Sequence, residues 1–378
     1  MAYDVIELTQ NLIKCPSVTP KDEGALVYLA EQLEALGFEC TRVDFGEGAD
    51  HVPNLFARIG DKSPHICYAG HTDVVPTGDV NLWDYEPFSA HIEDGILYGR
   101  GASDMKGSVA AFVASVSSYL ENNPIKGSIS LLITGDEEGP AINGTVKVLK
   151  WMEENGHIPD VAIVGEPTNP DYLGQEIKIG RRGSLNGVLT VLGKQGHVAY
   201  QHLADNPLPK LVKILDALSD HIFDEGSEFF PPTNLEITSI DVGNEADNVI
   251  ANSGHAKFNI RFNDNWSNET LSKKIHEIVK LCGFDYDLKL SPSAESFITK
   301  PAAWSDVMCK AVKDITGVTP ELTTNGGTSD ARFIVNYCPV IEFGGINATI
   351  HQINENANVQ DLKDLSKIFE RVLELHFK

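Results

Sequence analysis

Apolar residues are arranged along this chain in two ways. Over residues 22–36, Ala25, Leu26, Tyr28, Leu29, Leu33 and Leu36 recur at helical spacing with Gly37 after them, a pattern that predicts an amphipathic helix ended by a glycine. Elsewhere the apolar residues come in short runs flanked by Gly or Pro: NLFARIG, HICYAGH, SISLLITG, DVAIVGEPT and CPVIEFGG. Such runs, without polar alternation, predict strands covered on both faces. Helical stretches over residues 106–120 and 145–154 lie between several of them, so the sequence predicts an α/β fold with helices covering an open sheet.

From about Gly183 to Leu290 the pattern changes. The segments LNGVLTVLG, PLPKLVKILDALSDHI, LEITSIDVG and AKFNIRFND, then residues 268–282 and YDLKLS, read in order as β-α-β-β-α-β. A unit of that order closes on itself. We therefore expect an inserted domain at 183–292 and a discontinuous outer domain at 1–182 and 293–378, for which 378 residues suffice.

Composition then narrows the functional classes. Charged residues at 22% and hydrophobic residues at 42% are ordinary for a folded chain and argue against disorder. A formal net charge of −24 argues against nucleic acid or an anionic membrane as a partner. Cys15, Cys40, Cys67, Cys282, Cys309 and Cys338 include no C-x-x-C pair, so they predict neither a disulfide framework nor a thiolate metal site, and reduced thiols are expected. The opening MAYDVIELTQNLIKC lacks a basic leader with a long apolar stretch, and no window nears the ~18 apolar residues that span a bilayer; the cytoplasm is the expected compartment.

Residues able to do chemistry cluster at the ends of the predicted strands. His71 and Asp73 follow HICYAG, Glu137 and Glu138 stand in TGDEEG, Glu166 ends DVAIVGE, and His351 in NATIHQINE comes after VIEFGG. Asp104, in GRGASDMKG, precedes a predicted helix. A single strand-end acid is ordinarily a turn former or a cap. Five separate segments bringing His or carboxylate to the edge where open α/β sheets bind ligands point beyond turn chemistry, and this mixture suits zinc. Three carboxylates would overcharge one divalent ion, so two ions about 3.5–4 Å apart, with one carboxylate bridging, are expected. Asp73 is placed to accept the second ring N–H of His71 and so fix its tautomer.

These segments resemble the M20 metallopeptidases, the dinuclear zinc aminoacylase and carboxypeptidase family, through GHTDVVPTGD, GRGASDMKG, GDEEG, GEPT and the late His351, over essentially the whole chain. The resemblance implies a zinc exopeptidase-like catalytic domain, its mixed sheet flanked by helices, with an inserted α+β ferredoxin-like dimerisation and lid domain. It implies two Zn2+ per subunit, with Co2+ or Mn2+ as substitutes: His71 and Glu166 on one, Glu138 and His351 on the other, and Asp104 bridging. It also implies that Glu137 is the general base, and that His197 in GKQGHVAY reaches the partner subunit's active site in a homodimer, where it stabilises the oxyanion.

Within that family, IGRRGSL, GKQGHVAY, FFPPT, NGGTSDARF and NATIHQINE are most similar to the members that hydrolyse N-succinyl-L,L-2,6-diaminopimelate in lysine and diaminopimelate biosynthesis. Such a small-molecule N-succinyl amino acid carries several carboxylates and needs Arg, hydroxyl and amide donors. The family-matched candidates are Arg181, Ser184, Tyr200, Asn248, Arg261, Gly327, Thr328 and Asn347. Gln201 stands where the family usually has Pro, and Asn325 where a third Gly often precedes Gly326, so the local loop geometry departs from the pattern. The alternative is an acetylornithine deacetylase-like deacylase or a dipeptidase; the Arg181-Arg182 pair, Ser184 and the GGTSD run speak against it, since an acetyl group needs no carboxylate clamp. A non-catalytic metal- or peptide-binding protein is a further alternative, opposed by the presence of Glu137 and all five ligand candidates.

Overall fold

The computed structural model describes residues 2–378, which divide into two compact units. The first takes the described residues through Ile179 together with Thr299–Thr323 and Ser329–Lys378. The second takes Gly180–Ile298 and Thr324–Thr328. It extends beyond 183–292 because Gly180–Arg181 pairs antiparallel with Phe297–Ile298 at its base.

An eight-stranded mixed sheet carries the first unit. Its centre is four mutually parallel strands, in the order Ser128–Thr134, His65–His71, Val161–Val164 and Val340–Glu342. Every residue of Ser128–Thr134 and His65–His71 is buried, which is why these runs lack polar alternation. Asn54–Ile59 and Glu39–Arg42 extend one side antiparallel, and Glu176–Lys178 and Glu321–Thr323 extend the other. Because the central four are parallel, their carboxyl ends open along one edge.

Helix Lys106–Asn122 is buried along almost its whole length. Phe112 on this helix stacks on Tyr68 at 4.4 Å between ring centroids, and Phe369 packs edge-on against both. A helix enclosed in this way needs no polar face. Helix Thr145–Glu154, by contrast, buries only a stripe that includes Val148, Leu149 and Met152. Among the described residues no helix is long and apolar enough to cross a membrane.

The second unit is a four-stranded antiparallel sheet in the order Asn234–Asp241, Ser253–Phe262, Gly183–Leu192, Asp287–Ala294. With helices Leu208–Ser219 and Asn268–Leu281 its main elements follow the order β-α-β-β-α-β. Here the strands do alternate: Leu185, Leu189, Val191, Phe258 and Ile260 turn to a core shared with Leu211, Leu215, Leu271 and Ile275 of the helices. Each fully buried leucine of that core stabilises the fold by roughly 1.5–3 kcal/mol.

Candidate metal centre

Three parallel strands of the first unit deliver side chains to one edge. His71 is the last residue of its strand, Glu137 and Glu138 lie on the turn after Ser128–Thr134, and Glu166 lies just past Val161–Val164. Asp104 comes from the loop before Lys106–Asn122, and His351 from an irregular segment well beyond Val340–Glu342. Gly165, just before Glu166, leaves room for the Tyr68 hydroxyl, since a Cβ there would stand 1.9 Å from it.

The ligand-type atoms of His71, Asp104 and Glu166 all lie within 4.8 Å of one another, as do those of Asp104, Glu138 and His351. Asp104 belongs to both groups, and its two oxygens face in different directions. Its Oδ1 is 3.3 Å from His71 Nε2 and its Oδ2 is 3.3 Å from His351 Nε2. Glu166 Oε1 stands 3.8 Å from His71 Nε2, and Glu138 Oε1 stands 2.9 Å from His351 Nε2. The His351 side chain is about half exposed, whereas His71 is buried.

These residues fit divalent cations. Two donors held about 2.0–2.1 Å from one tetrahedral ion stand about 3.3 Å apart, and the four separations given above bracket that value. His71 Nδ1 is 2.8 Å from the backbone carbonyl of Asp73, which can only accept, so Nδ1 carries the hydrogen and in the neutral ring Nε2 presents a lone pair to two carboxylates. His71 Nε2 and Asp104 Oδ1 are buried without a hydrogen-bond partner. A lone pair facing anions at this range is repulsive unless a proton or a cation lies between them.

The Asp73 carboxylate does something other than the sequence pattern suggests. It stands 3.7 Å from the His71 ring, whose N–H goes to the backbone carbonyl instead. The carboxylate accepts the backbone N–H groups of Glu137 at 3.3 Å and Glu138 at 3.1 Å, so it fixes the turn that presents both glutamates. Burial, partly opposed by His71, pushes its pKa up to about 6.

Two carboxyls and one imidazole of the centre are shifted by their surroundings. Burial holds the Glu137 carboxyl well above its ordinary range; His71 offsets this in part, and Asp330, Glu138 and Asp104 add to it. Burial and the Asp104 and Glu137 carboxylates do the same to Glu166. Hydrogen bonds to Asp104 and Glu138 push His351 up to about 10. The Glu137 and Glu166 carboxyls resist ionisation beside a His351 that holds its proton, whereas Asp104, despite its burial, is held low by the two imidazoles; a bound cation would favour the ionised glutamates and the neutral ring.

Of the remaining candidates, only Asn347 belongs to the first unit, where its N–H donates to the Asn169 carbonyl at 2.9 Å. The others lie in the second unit. Arg181 is buried, with Nη1 donating to the Gly327 carbonyl at 3.2 Å, so it shapes the segment that carries Thr328. Ser184 and Arg261 face each other across paired strands, and Asn259 joins them: its Nδ2 donates to Ser184 Oγ at 3.1 Å and its Oδ1 accepts from Arg261 Nε at 3.0 Å. His197 is exposed, and its Nδ1 accepts the Ala199 N–H at 3.0 Å, which leaves Nε2 as the donor of the neutral ring. Tyr200 is exposed beside it, with ring centroids 5.6 Å apart, and the Asn248 carbonyl accepts the Val198 N–H at 3.0 Å.

Sequence reasoning passed over Asp330, Arg100, Glu355 and Asn259. Asp330 is buried, has one oxygen without a partner, and bears on Glu137. It stands in the GGTSD run, and Arg100 and Glu355 stand in or beside GRGASD and NATIHQINE, so those motifs contained the signal. Asn259 carries none, because its role appears only in the strand register.

Comparison with known proteins adds three findings. The model of a family described as Peptidase family M20/M25/M40 matches residues 67–375. A succinyl-diaminopimelate desuccinylase of Rhodospirillum centenum is 56% identical over 379 aligned residues, covering 100% of this chain and 98% of that protein, and one of Parvibaculum lavamentivorans is 51% identical, covering 99% and 96%. Among solved structures, the M20 family metallo-carboxypeptidase Sso-CP2 of Sulfolobus solfataricus superposes with a TM-score of 0.81 at 21% identity over 99% of both chains. The aminopeptidase PepT of Bacillus cereus does so with 0.80 at 19%, over 99% of this chain and 98% of that one.

Proposed function

This chain belongs to the M20/M25/M40 peptidase family, and we propose that it is a metal-dependent amidohydrolase that cleaves N-succinyl-L,L-2,6-diaminopimelate to succinate and L,L-2,6-diaminopimelate, a step of lysine and diaminopimelate biosynthesis. The observation that carries the chemistry is the single carboxylate of Asp104 turned to two imidazoles at once. The substrate rests on desuccinylase relatives at 50–56% identity along the full chain.

In this reading His71, Asp104 and Glu166 hold one zinc ion and Asp104, Glu138 and His351 hold the other, with Co2+ or Mn2+ able to replace them. Two such ions supply Lewis acidity and make a water molecule acidic near neutral pH. Glu137 is the general base: it accepts a proton from the attacking water and returns one to the amide nitrogen as the C–N bond breaks, which releases succinate and the free amine. Asp73 supports that role by fixing the Glu137–Glu138 turn.

Arg181, Ser184 and Arg261 bind substrate carboxylates, with Tyr200, Asn248, Gly327, Thr328 and Asn347 adding polar contacts. The second unit serves dimerisation and closure. Exposed Val198, Tyr200 and Leu203 beside His197 support a homodimer in which His197 donates a hydrogen bond to the oxyanion at the partner subunit's centre. Six free cysteines and a biosynthetic substrate support a cytoplasmic enzyme.

The test is succinate release from N-succinyl-diaminopimelate measured beside acetate release from N-acetylornithine. Turnover of the succinyl substrate with little of the acetyl one is expected; the reverse preference keeps the hydrolase and overturns the substrate.

A further inference from the structure

Two buried charged side chains near the candidate metal centre take no part in the chemistry above. Arg100 is 2% exposed and Glu355 is 0% exposed. Arg100 Nη1 donates to Glu355 Oε2 at 2.7 Å. What the pair holds is backbone. Glu355 Oε1 accepts three N–H groups, from Gly101 at 3.1 Å, Ser103 at 3.0 Å and Asp104 at 3.0 Å. One carboxylate thus fixes the loop that presents Asp104.

Arg100 holds the other side. It donates from Nη1 to the Gln352 carbonyl at 3.2 Å, and from Nη2 to the Pro76 carbonyl at 3.2 Å and the His351 carbonyl at 3.5 Å. His351 has a φ of 60°, a left-handed conformation uncommon for a residue other than Gly, Asn or Asp, and Arg100 holds its carbonyl and the next one along. The remaining ligand candidates are secured otherwise. His71 ends a strand paired on both sides, Glu166 follows another, and Glu138 sits on the turn fixed by Asp73.

Resting on the two-cation reading, we infer that Arg100 and Glu355 are positioning residues for the cation shared by Asp104, Glu138 and His351, joining the two ligands that neither a strand nor Asp73 fixes. The cation of His71, Asp104 and Glu166 depends on the pair through Asp104 alone, so its affinity is less sensitive.

The experiment titrates the metal-stripped full-length chain with Co2+, following heat and visible absorption, and repeats this with Glu355→Gln and Arg100→Lys. The unsubstituted chain takes up two equivalents. In each variant affinity falls about 10–100-fold for one equivalent, the same one that His351→Ala weakens, which is the usual loss when an outer partner of a metal ligand is removed, while the other changes less than about threefold. Arg100→Lys keeps the charge and loses the fork, and it carries the test if Glu355→Gln does not fold. A merely structural role lowers the melting temperature of the stripped protein and leaves both cobalt affinities and both absorption bands unchanged; that result overturns the inference, as does equal weakening of both equivalents. Uptake of fewer than two equivalents by the unsubstituted chain overturns the two-cation reading and the inference with it.

Discussion

His65 begins the strand that ends at His71, and it tests how burial in the first unit controls protonation. Its side chain is 3% exposed and its Nε2 lies 2.7 Å from Ser130 Oγ. Burial, assisted by the charge of Arg58, pulls its pKa from the ordinary 6.5 to about 4. As pH falls through 6.5 the unfolded chain takes up a proton that the folded chain refuses until about 4. The unfolded state therefore binds more protons in that window, so the contribution to stability is complete above pH 6.5 and lost on acidification. At about 1.4 kcal/mol per pH unit, acidifying from 6.5 to 5 removes about 2 kcal/mol, and the loss approaches about 3 kcal/mol near pH 4.

The assay is urea unfolding of the metal-stripped protein at pH 7 and pH 5, beside His65→Asn, which keeps a hydrogen-bonding side chain that does not titrate. Every other titrating group is common to both proteins and cancels in the difference. The variant is expected to be the less stable at pH 7, with the gap narrowing by about 2 kcal/mol at pH 5. A gap that stays constant refutes the claim that burial keeps His65 neutral.

Other expectations concern the centre and its surroundings. Glu137→Gln lowers kcat about 100- to 10,000-fold and leaves Co2+ affinity within about threefold, since Glu137 is in neither ligand group; stopped assays with calorimetry check it, and near-normal turnover removes the base. Gly165→Ala forces a Cβ against the Tyr68 hydroxyl and costs about 1–3 kcal/mol in thermal unfolding; an unshifted melting curve contradicts the close approach. On the proposed role of Arg261 as a partner for a substrate carboxylate, Arg261→Ala is expected to raise KM about 10–100-fold with a smaller change in kcat; an unaltered KM takes Arg261 out of the binding site.

The parallel centre of the first sheet is readable from sequence because strands covered on both faces must be apolar throughout, as in HICYAGH and SISLLIT. The outer strands Glu39–Arg42, Glu176–Lys178 and Glu321–Thr323 are not, since each is three or four residues long and partly polar. His71, Glu138 and Glu166 stand out because a parallel sheet puts the residues after its strands along one edge. Which group takes the His71 ring N–H was hidden, because Asp73 offers both a carboxylate and a carbonyl and only the structure shows the carbonyl at 2.8 Å and the carboxylate at 3.7 Å, tied to the Glu137–Glu138 turn. The Arg100–Glu355 pair was hidden for a different reason, because its partners are 255 positions apart and meet only once the chain has folded.

The central claim, that two cations held around Asp104 drive removal of the succinyl group, is tested most directly by following turnover of N-succinyl-diaminopimelate as metal-stripped enzyme is reloaded with zinc. The stripped protein is expected to be inactive, with activity restored as zinc is added and complete at two equivalents per chain. Unimpaired turnover by the stripped protein, or none after two equivalents have bound, contradicts the account.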